Sequence, residues 1–370
     1  MVYSNLWHIF LSFLFFNYLL YTIYNKYKKG EYYIIKKDWI KYIFLFILFG
    51  TLGGGEGDYY HYKEIIEKPY SSMDLLFYTG IEKQYIYLSY YVGGNYNLWR
   101  FVLFSIQFLG MGWLLYKAKM NTYPVLLSFT SFCLVMSVYG RAFWGSIFFF
   151  LGVYLLIEKK NPLYLLAIAC CYFSHTSNLV LIVLLPLAFI SIKRWHLIVI
   201  VLLFGTLVAI FKDAFLDYLN SGGFEAEEAE HLNDRLQSYG NREATGYFGQ
   251  SMAENLGFVL KYIPQLSILF LALFISFKNK ISRSIRGVIN ISTGLLILSL
   301  IILAASIGGG TIFYRILGMT MLPVSLLLPY MKDSGLIKKK RYNTFIYLFI
   351  LCAEYGYLKD MFYAVANGNY

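Results

Sequence analysis

The chain has 370 residues, of which 58% are hydrophobic, 20% aromatic and 14% charged, against about 45–50% apolar and about 25% charged in soluble domains. That balance excludes a water-soluble globular domain and predicts an all-α polytopic membrane protein, since a spanning barrel would show alternating segments of about 10 residues. The formal net charge of +11 does not point to nucleic acid, because no basic patch interleaved with aromatics stands on a soluble domain.

The first apolar run, Leu6–Tyr24, is read as a retained span. No basic residue precedes it and no small-residue cleavage site follows. Further runs lie at 40–55, 98–116, 123–140, 142–157, 162–176, 178–192, 196–212, 258–277, 287–306, 314–331 and 342–358. These give roughly 10–12 transmembrane helices in a single integral membrane domain, residues 1–370, compatible with a GT-C-like plan. The pair of runs around His175 suits a re-entrant hairpin equally well. Cys133, Cys170, Cys171 and Cys352 lie inside apolar runs at spacings that fit neither a disulfide framework nor a metal site, and are read as small hydrophobes.

Alternate connections differ in charge. Segments 25–41, 117–122, 158–161, 193–195, 278–286 and 332–341 hold 21 of the 32 Lys and Arg, which assigns them to the cytoplasm. The long connections 53–97 and 213–257 hold six and nine of the 21 Asp and Glu and are assigned to the extracytoplasmic side. Connections of about 45 residues among short ones are expected to bind something, which places the active face outside. Within the second of them, EAEEAEHLNDRLQSY reads as a surface helix whose Glu225, Glu227, Glu228 and Glu230 form a solvated charge run.

Polar residues recur at the outer ends of the runs. Asp58 stands in GGGEGDYYHYKE beyond the second run, where glycines at 53, 54, 55 and 57 permit close backbone approach of a ligand. No Lys-Ser/Thr follows, so this is not a P-loop. Tyr59, Tyr60 and His61 come next and suit stacking on sugar faces; an interfacial tyrosine belt explains them equally. Residues 81–100, IEKQYIYLSYYVGGNYNLWR, read as a short amphipathic segment beginning near Glu82 and Tyr85, a turn at Gly93-Gly94-Asn95, and entry into the third run at Leu98. Arg141 follows an outward run in SVYGRAFWGS, and His175 ends another in YFSHTSNLV. Tyr314 and Arg315 begin an inward run after SIGGGTIF. Ionisable groups at the hydrocarbon edge are functional candidates. Arginines there also snorkel to headgroups, and His175 with Ser174, Thr176, Ser177 and Asn178 also reads as a satisfied polar cap.

The order of these elements resembles the EpsG-like branch of the Wzy-type repeat-unit polymerases of bacterial surface polysaccharides. The resemblance rests on the glycine-to-Asp58-Tyr59 element, the Glu82-x-x-Tyr85 segment leading to GGNYNLWRF, Arg141 at a helix start, Phe173-x-His175-x-Ser177, and the late Tyr314-Arg315 pair. It covers roughly residues 40–330. Family members often carry Arg-Gln where this chain has Arg141-Ala142, and Pro-Gly after the glutamate where it has Lys83-Gln84.

Such a resemblance implies transfer of a growing glycan from polyprenyl diphosphate to a sugar hydroxyl of the next lipid-linked repeat unit, at the outer face of a bacterial inner membrane. Arg141 and Arg315 are then expected to stabilise the departing diphosphate. His175 is the expected base, with Asp58 and Glu82 as alternatives, and Tyr59, Tyr60, His61, Tyr85 and Tyr314 are expected to contact substrate. No cofactor and no metal are expected. The implied partners are the lipid bilayer, the polyprenyl-diphosphate-linked oligosaccharide, a flippase and a chain-length regulator, and no nucleic acid. Two other readings stay open: a polyprenyl-phosphate-sugar glycosyltransferase or glycan ligase, for which Asp58 would serve, and a lipid-linked oligosaccharide flippase or transporter, for which only Glu354 stands inside a run.

Overall fold

A computed structural model describes residues 6–53, 58–67, 83–134, 141–175, 178–190, 252–278, 281–304 and 316–366, together with 196, 199 and 203. In chain order the helices are α1 (Leu6–Lys28), α2 (Lys36–Leu52), α3 (Asp58–Glu67), α4 (Lys83–Tyr91), α5 (Tyr96–Lys117), α6 (Tyr123–Ser128), α7 (Arg141–Lys159), α8 (Tyr164–Ser174), α9 (Leu179–Leu184), α10 (Met252–Lys278), α11 (Arg283–Ala304), α12 (Met321–Asp333) and α13 (Lys339–Ala366). No strand occurs among the described residues, whose β pairing is an isolated bridge between Tyr33 and Thr122. The chain is an all-α polytopic membrane protein.

Helix α1, helix α5 and residues Arg283–Ile301 of α11 are long and apolar enough to cross a membrane. Outer faces carry Trp7, Leu11, Leu14 and Tyr21 on α1, and Phe101, Ile106, Leu109 and Trp113 on α5. Such faces suit hydrocarbon, where the helix has already paired its own backbone groups. Helix α7 buries residues all round, with Ile147, Phe149, Phe150, Leu151, Val153 and Leu155 fully enclosed, as expected of an apolar helix at a bundle centre.

The structure divides into two compact units, Met1–Ile182 with Leu322–Tyr370, and Val183–Met321. In the first, helices approach one another at small residues, the device that membrane bundles use in place of a hydrophobic driving force. A Cβ added to Gly50 would stand 2.7 Å from the Phe104 ring, and one on Gly112 would stand 2.6 Å from Ile43. Trp39 Nε1 donates to the Gly112 carbonyl at 3.2 Å, closing α2 on α5. Phe46, Phe108, Phe129 and Trp144 continue the core, with ring centroids 5.6 Å apart for Phe46–Phe108, 5.8 Å for Phe46–Phe129 and 4.7 Å for Phe108–Trp144. Helix α13 lies antiparallel to α1: Tyr27 donates to Asn343 at 3.1 Å, and Tyr357 meets Phe13 and Phe16 at 5.6 and 5.7 Å.

Three basic connections meet at one end of this unit. Tyr33 bridges to Thr122, and Tyr342 Oη donates to the Pro124 carbonyl at 2.8 Å. Lys332 lies over the rings of Tyr27, Tyr32 and Tyr342 at 5.5, 5.7 and 5.3 Å, and its ammonium pairs with Asp333 at 2.8 Å. Tyr32 donates to the same carboxylate at 2.5 Å; burial, then that hydrogen bond, holds its phenol above the usual range. The grouping of 25–41, 117–122 and 332–341 by charge is thus also a grouping in space.

Within residues 53–97 the short segment expected near Glu82 and Tyr85 is present as α4, and α3 forms as a further helix. The run 123–140 is not a plain α-helix: α6 gives way to a π-helical segment, Phe129–Leu134, where Ser131 Oγ donates to the Ser128 carbonyl at 3.3 Å. Hydroxyls that compete for backbone carbonyls loosen the regular ladder. The expected surface helix at EAEEAEHLNDRLQSY falls outside the described residues.

In the second unit, α10 and α11 pack through Tyr262, Leu296 and Leu317. Gln265, one residue after the helix-interior Pro264, donates to the Leu317 carbonyl at 2.8 Å and to Thr320 Oγ1 at 2.6 Å. Asn290 of α11 donates to the carbonyls of Leu187 and Ile190 at 3.0 and 2.8 Å, closing the exposed end of the 3-10 turn Leu185–Ala188.

Candidate active site

The hairpin that carries His175 is built by α7 and α8, which pack against each other along their length. Glycines on α7 set the approach. A Cβ on Gly152 would lie 3.0 Å from Ile168, and one on Gly145 would lie 1.9 Å from Asn178 Nδ2 and 2.9 Å from the Cys171 carbonyl. These pairs run in opposite directions along the two chains, so the helices are antiparallel. The start of α7, at Arg141, therefore stands at the end of the hairpin where α8 stops at Ser174 and His175 follows.

Helix α8 ends because the backbone turns extended at His175, φ −166° and ψ 136°. The turn is then locked by polar groups, as the sequence suggested for Ser174 and Asn178. Ser174 Oγ donates to the Cys170 carbonyl at 2.9 Å, and Asn178 N donates to the His175 carbonyl at 3.0 Å. The wholly buried Asn178 side chain donates to the Cys171 carbonyl at 3.0 Å. His175 itself is half-buried. Thr176 and Ser177 lie outside the described residues.

Crowding at Gly145 makes a sharp expectation. Gly145→Ala places a methyl group into Asn178 and a backbone carbonyl, and is expected to cost about 1–3 kcal/mol as overpacking. The check is thermal unfolding in detergent. Adding Asn178→Ala should restore part of the loss only, because the Cys171 carbonyl stays in the way.

A second group of elements reaches the same hairpin. Gly93 and Gly94 turn the chain with φ of 61° and 72°, and Asn95 caps α5 by accepting from Leu98 N at 3.0 Å. The turn expected at these three residues is present, with α5 entered at Tyr96 rather than Leu98. Ile65 and Ile66 of α3, Tyr85 and Ile86 of α4, and Tyr96 and Trp99 of α5 form one buried cluster. Trp99 is its centre: Tyr62, Tyr85 and Tyr96 stand 6.4, 6.2 and 5.8 Å from it, and its Nε1 donates to the Tyr85 carbonyl at 2.9 Å. Tyr85 Oη donates in turn to the Ser174 carbonyl at 3.0 Å.

Beside the cluster, Arg100 is 3% exposed. Its guanidinium donates to the Gly50 carbonyl at 2.6 Å and to the Gly53 carbonyl, and lies over the rings of Tyr96 and Phe104. The last carbonyls of a helix lack intrahelical donors. Arg100 supplies donors to α2 where the chain leaves for the glycine run, which fixes the root of the segment leading to Asp58. In the sequence its signal is a charge near the start of a largely apolar run.

Of the candidate residues, the structure brings Arg141, Tyr85 and His175 to one end of one unit. Asp58 opens α3, with Tyr59, Tyr60 and His61 in its first turn, and α3 joins the same cluster through Ile65 and Ile66. The side chains of Arg141, Asp58, Tyr59, Tyr60 and His61, and all of Glu82, Tyr314 and Arg315, fall outside the described residues; Glu82 directly precedes α4. No curated protein and no solved structure is detectably similar to this chain. Residues 39–364 match the model of the EpsG family, and the chain belongs to that family.

Proposed function

We propose that this protein polymerises lipid-linked oligosaccharide repeat units, moving a growing glycan from polyprenyl diphosphate to a sugar hydroxyl of the next unit at the outer face of a bacterial cytoplasmic membrane. Membership of the EpsG family supports a polysaccharide-polymerase role. The observation that carries the site is the antiparallel α7–α8 hairpin, which holds Arg141 and His175 at one end.

In this reading the acceptor oxygen attacks the anomeric carbon of the donor as the bond to the diphosphate breaks. His175 takes the hydroxyl proton, and the electron pair leaves with the lipid diphosphate. Developing charge there is stabilised by Arg141, since a guanidinium presents a fork of donors matched to phosphate. Asp58 and Glu82 are the carboxylates available to replace His175 as base. The tail stays in the bilayer, so chemistry belongs at helix ends rather than mid-membrane.

The test is reconstitution of the purified protein in lipid vesicles with the native polyprenyl-diphosphate repeat unit, resolving products by glycan length. A ladder is expected from the wild type and only single units from Arg141→Ala at equal protein level. Transbilayer movement of the lipid-linked unit without a ladder would instead establish a transporter.

A further inference from the structure

Tyr85 was expected to touch substrate, yet it is 5% exposed and its hydroxyl donates to the carbonyl immediately before His175, 89 positions along the chain. We propose that Tyr85 is a positioning residue for His175, acting through the Ser174 carbonyl and held in turn by Trp99. Its importance for glycan transfer rests on His175 being the base.

The geometry gives the contact a specific task. Ser174 is the last residue of α8, and its carbonyl belongs to the turn that lacks intrahelical donors. Tyr85 supplies a donor at the point where the backbone swings from helical to extended and sets the direction in which the imidazole departs. The strut is stiff at its other end. The Tyr85 carbonyl accepts from Trp99 Nε1, and Trp99 is wedged between Tyr62 and Tyr96 with interplanar angles of 29° and 16°. Next along the chain, Arg100 fastens the end of α2. One framework thus connects the segment that leads to Asp58, the helix that follows Glu82 and the hairpin bearing His175. A reacting group misplaced by about 1 Å loses on the order of 100-fold in rate, so a single hydrogen bond at this position controls the outcome.

Tyr85→Phe isolates the hydroxyl, because the ring and its packing remain. The full-length protein in detergent is treated with diethyl pyrocarbonate, and modification of His175 is followed by peptide mass spectrometry beside the chain-extension assay. The variant is expected to unfold somewhat below the wild-type temperature, the Ser174 carbonyl having lost a donor, to remain folded at the assay temperature, to modify His175 at least about threefold faster and to extend glycan on the order of tenfold more slowly. A role in ring packing alone predicts no change with phenylalanine, and an unaltered His175 modification rate overturns the proposal whatever the activity. Full activity in His175→Ala would remove the histidine as base, while the modification comparison would still decide whether Tyr85 positions it.

Discussion

His175→Ala is expected to lower the rate of chain extension by about 100- to 10,000-fold, the usual contribution of a general base, while leaving thermal unfolding close to that of the wild type. The second half of that expectation comes from the backbone. His175 is extended, a conformation any residue adopts, and the hydrogen bond that closes the turn is made by its carbonyl to Asn178 N, which alanine keeps. The buried groups that lock the hairpin, Cys171 and Asn178, are untouched. Loss of activity with an intact fold would therefore report on chemistry. Retention of more than about one-tenth of the wild-type rate would fall outside the range expected for loss of a base and would transfer that role to Asp58 or Glu82, to be tested next by Asp58→Asn and Glu82→Gln. His175→Gln refines the result, because an amide retains polarity without accepting a proton at neutral pH.

Arg100→Met is expected to destabilise the protein by about 2–4 kcal/mol, since two buried carbonyl acceptors lose their charged donor and each costs about 1–2 kcal/mol when left unmade. The substituted side chain is of similar length and apolar, so packing against Phe104 is retained and the loss falls on the hydrogen bonds. Two consequences should be seen together: a lowered unfolding temperature in detergent, and slower chain extension even under conditions where the variant is folded, because the segment from Gly53 to Asp58 loses its fixed root. Arg100→Lys should recover only part of both. A lysine ammonium lacks the fixed planar geometry in which the single nitrogen Nη2 donates to the carbonyls of Gly50 and Gly53 together. An unfolding temperature equal to that of the wild type would show that these carbonyls find other donors and that Arg100 does not fasten α2.

The effects at Gly145, Arg100 and Tyr85 share a cause. Each lies at a crossing or a helix end near His175, and each is a buried place where a lost hydrogen bond or a clash is not relieved by solvent. Burial of a charge such as Arg100 is tolerated because backbone carbonyls and ring faces receive it. At the basic end Lys332 is instead received by Asp333 and the rings of Tyr27, Tyr32 and Tyr342.

Much of this protein was legible from its sequence, for one physical reason: in lipid, composition alone dictates that the backbone satisfy itself as helices. Apolar runs predicted α1, α2, α5, α7, α8 and α13 closely, and the glycine pair with Asn95 announced the turn that precedes α5. Ser174 and Asn178 announced the locked end of α8. Charge alternation predicted which connections belong together, and three basic ones do meet. What the sequence could not show was contact. A short helix such as α3 carries too few turns to be separated from a polar connection by periodicity, and packs with α4 in a shared cluster around Trp99. Nothing in the sequence shows that the partners of Arg100 are carbonyls 50 and 47 positions earlier. Gly145 gave no sign of its role, because the absence of a side chain matters only where another chain arrives. Composition determined that this is a helical membrane protein, and the order of its motifs pointed to its family; only tertiary packing decided which residues stand beside His175, since adjacency between segments 89 residues apart is written in no local pattern.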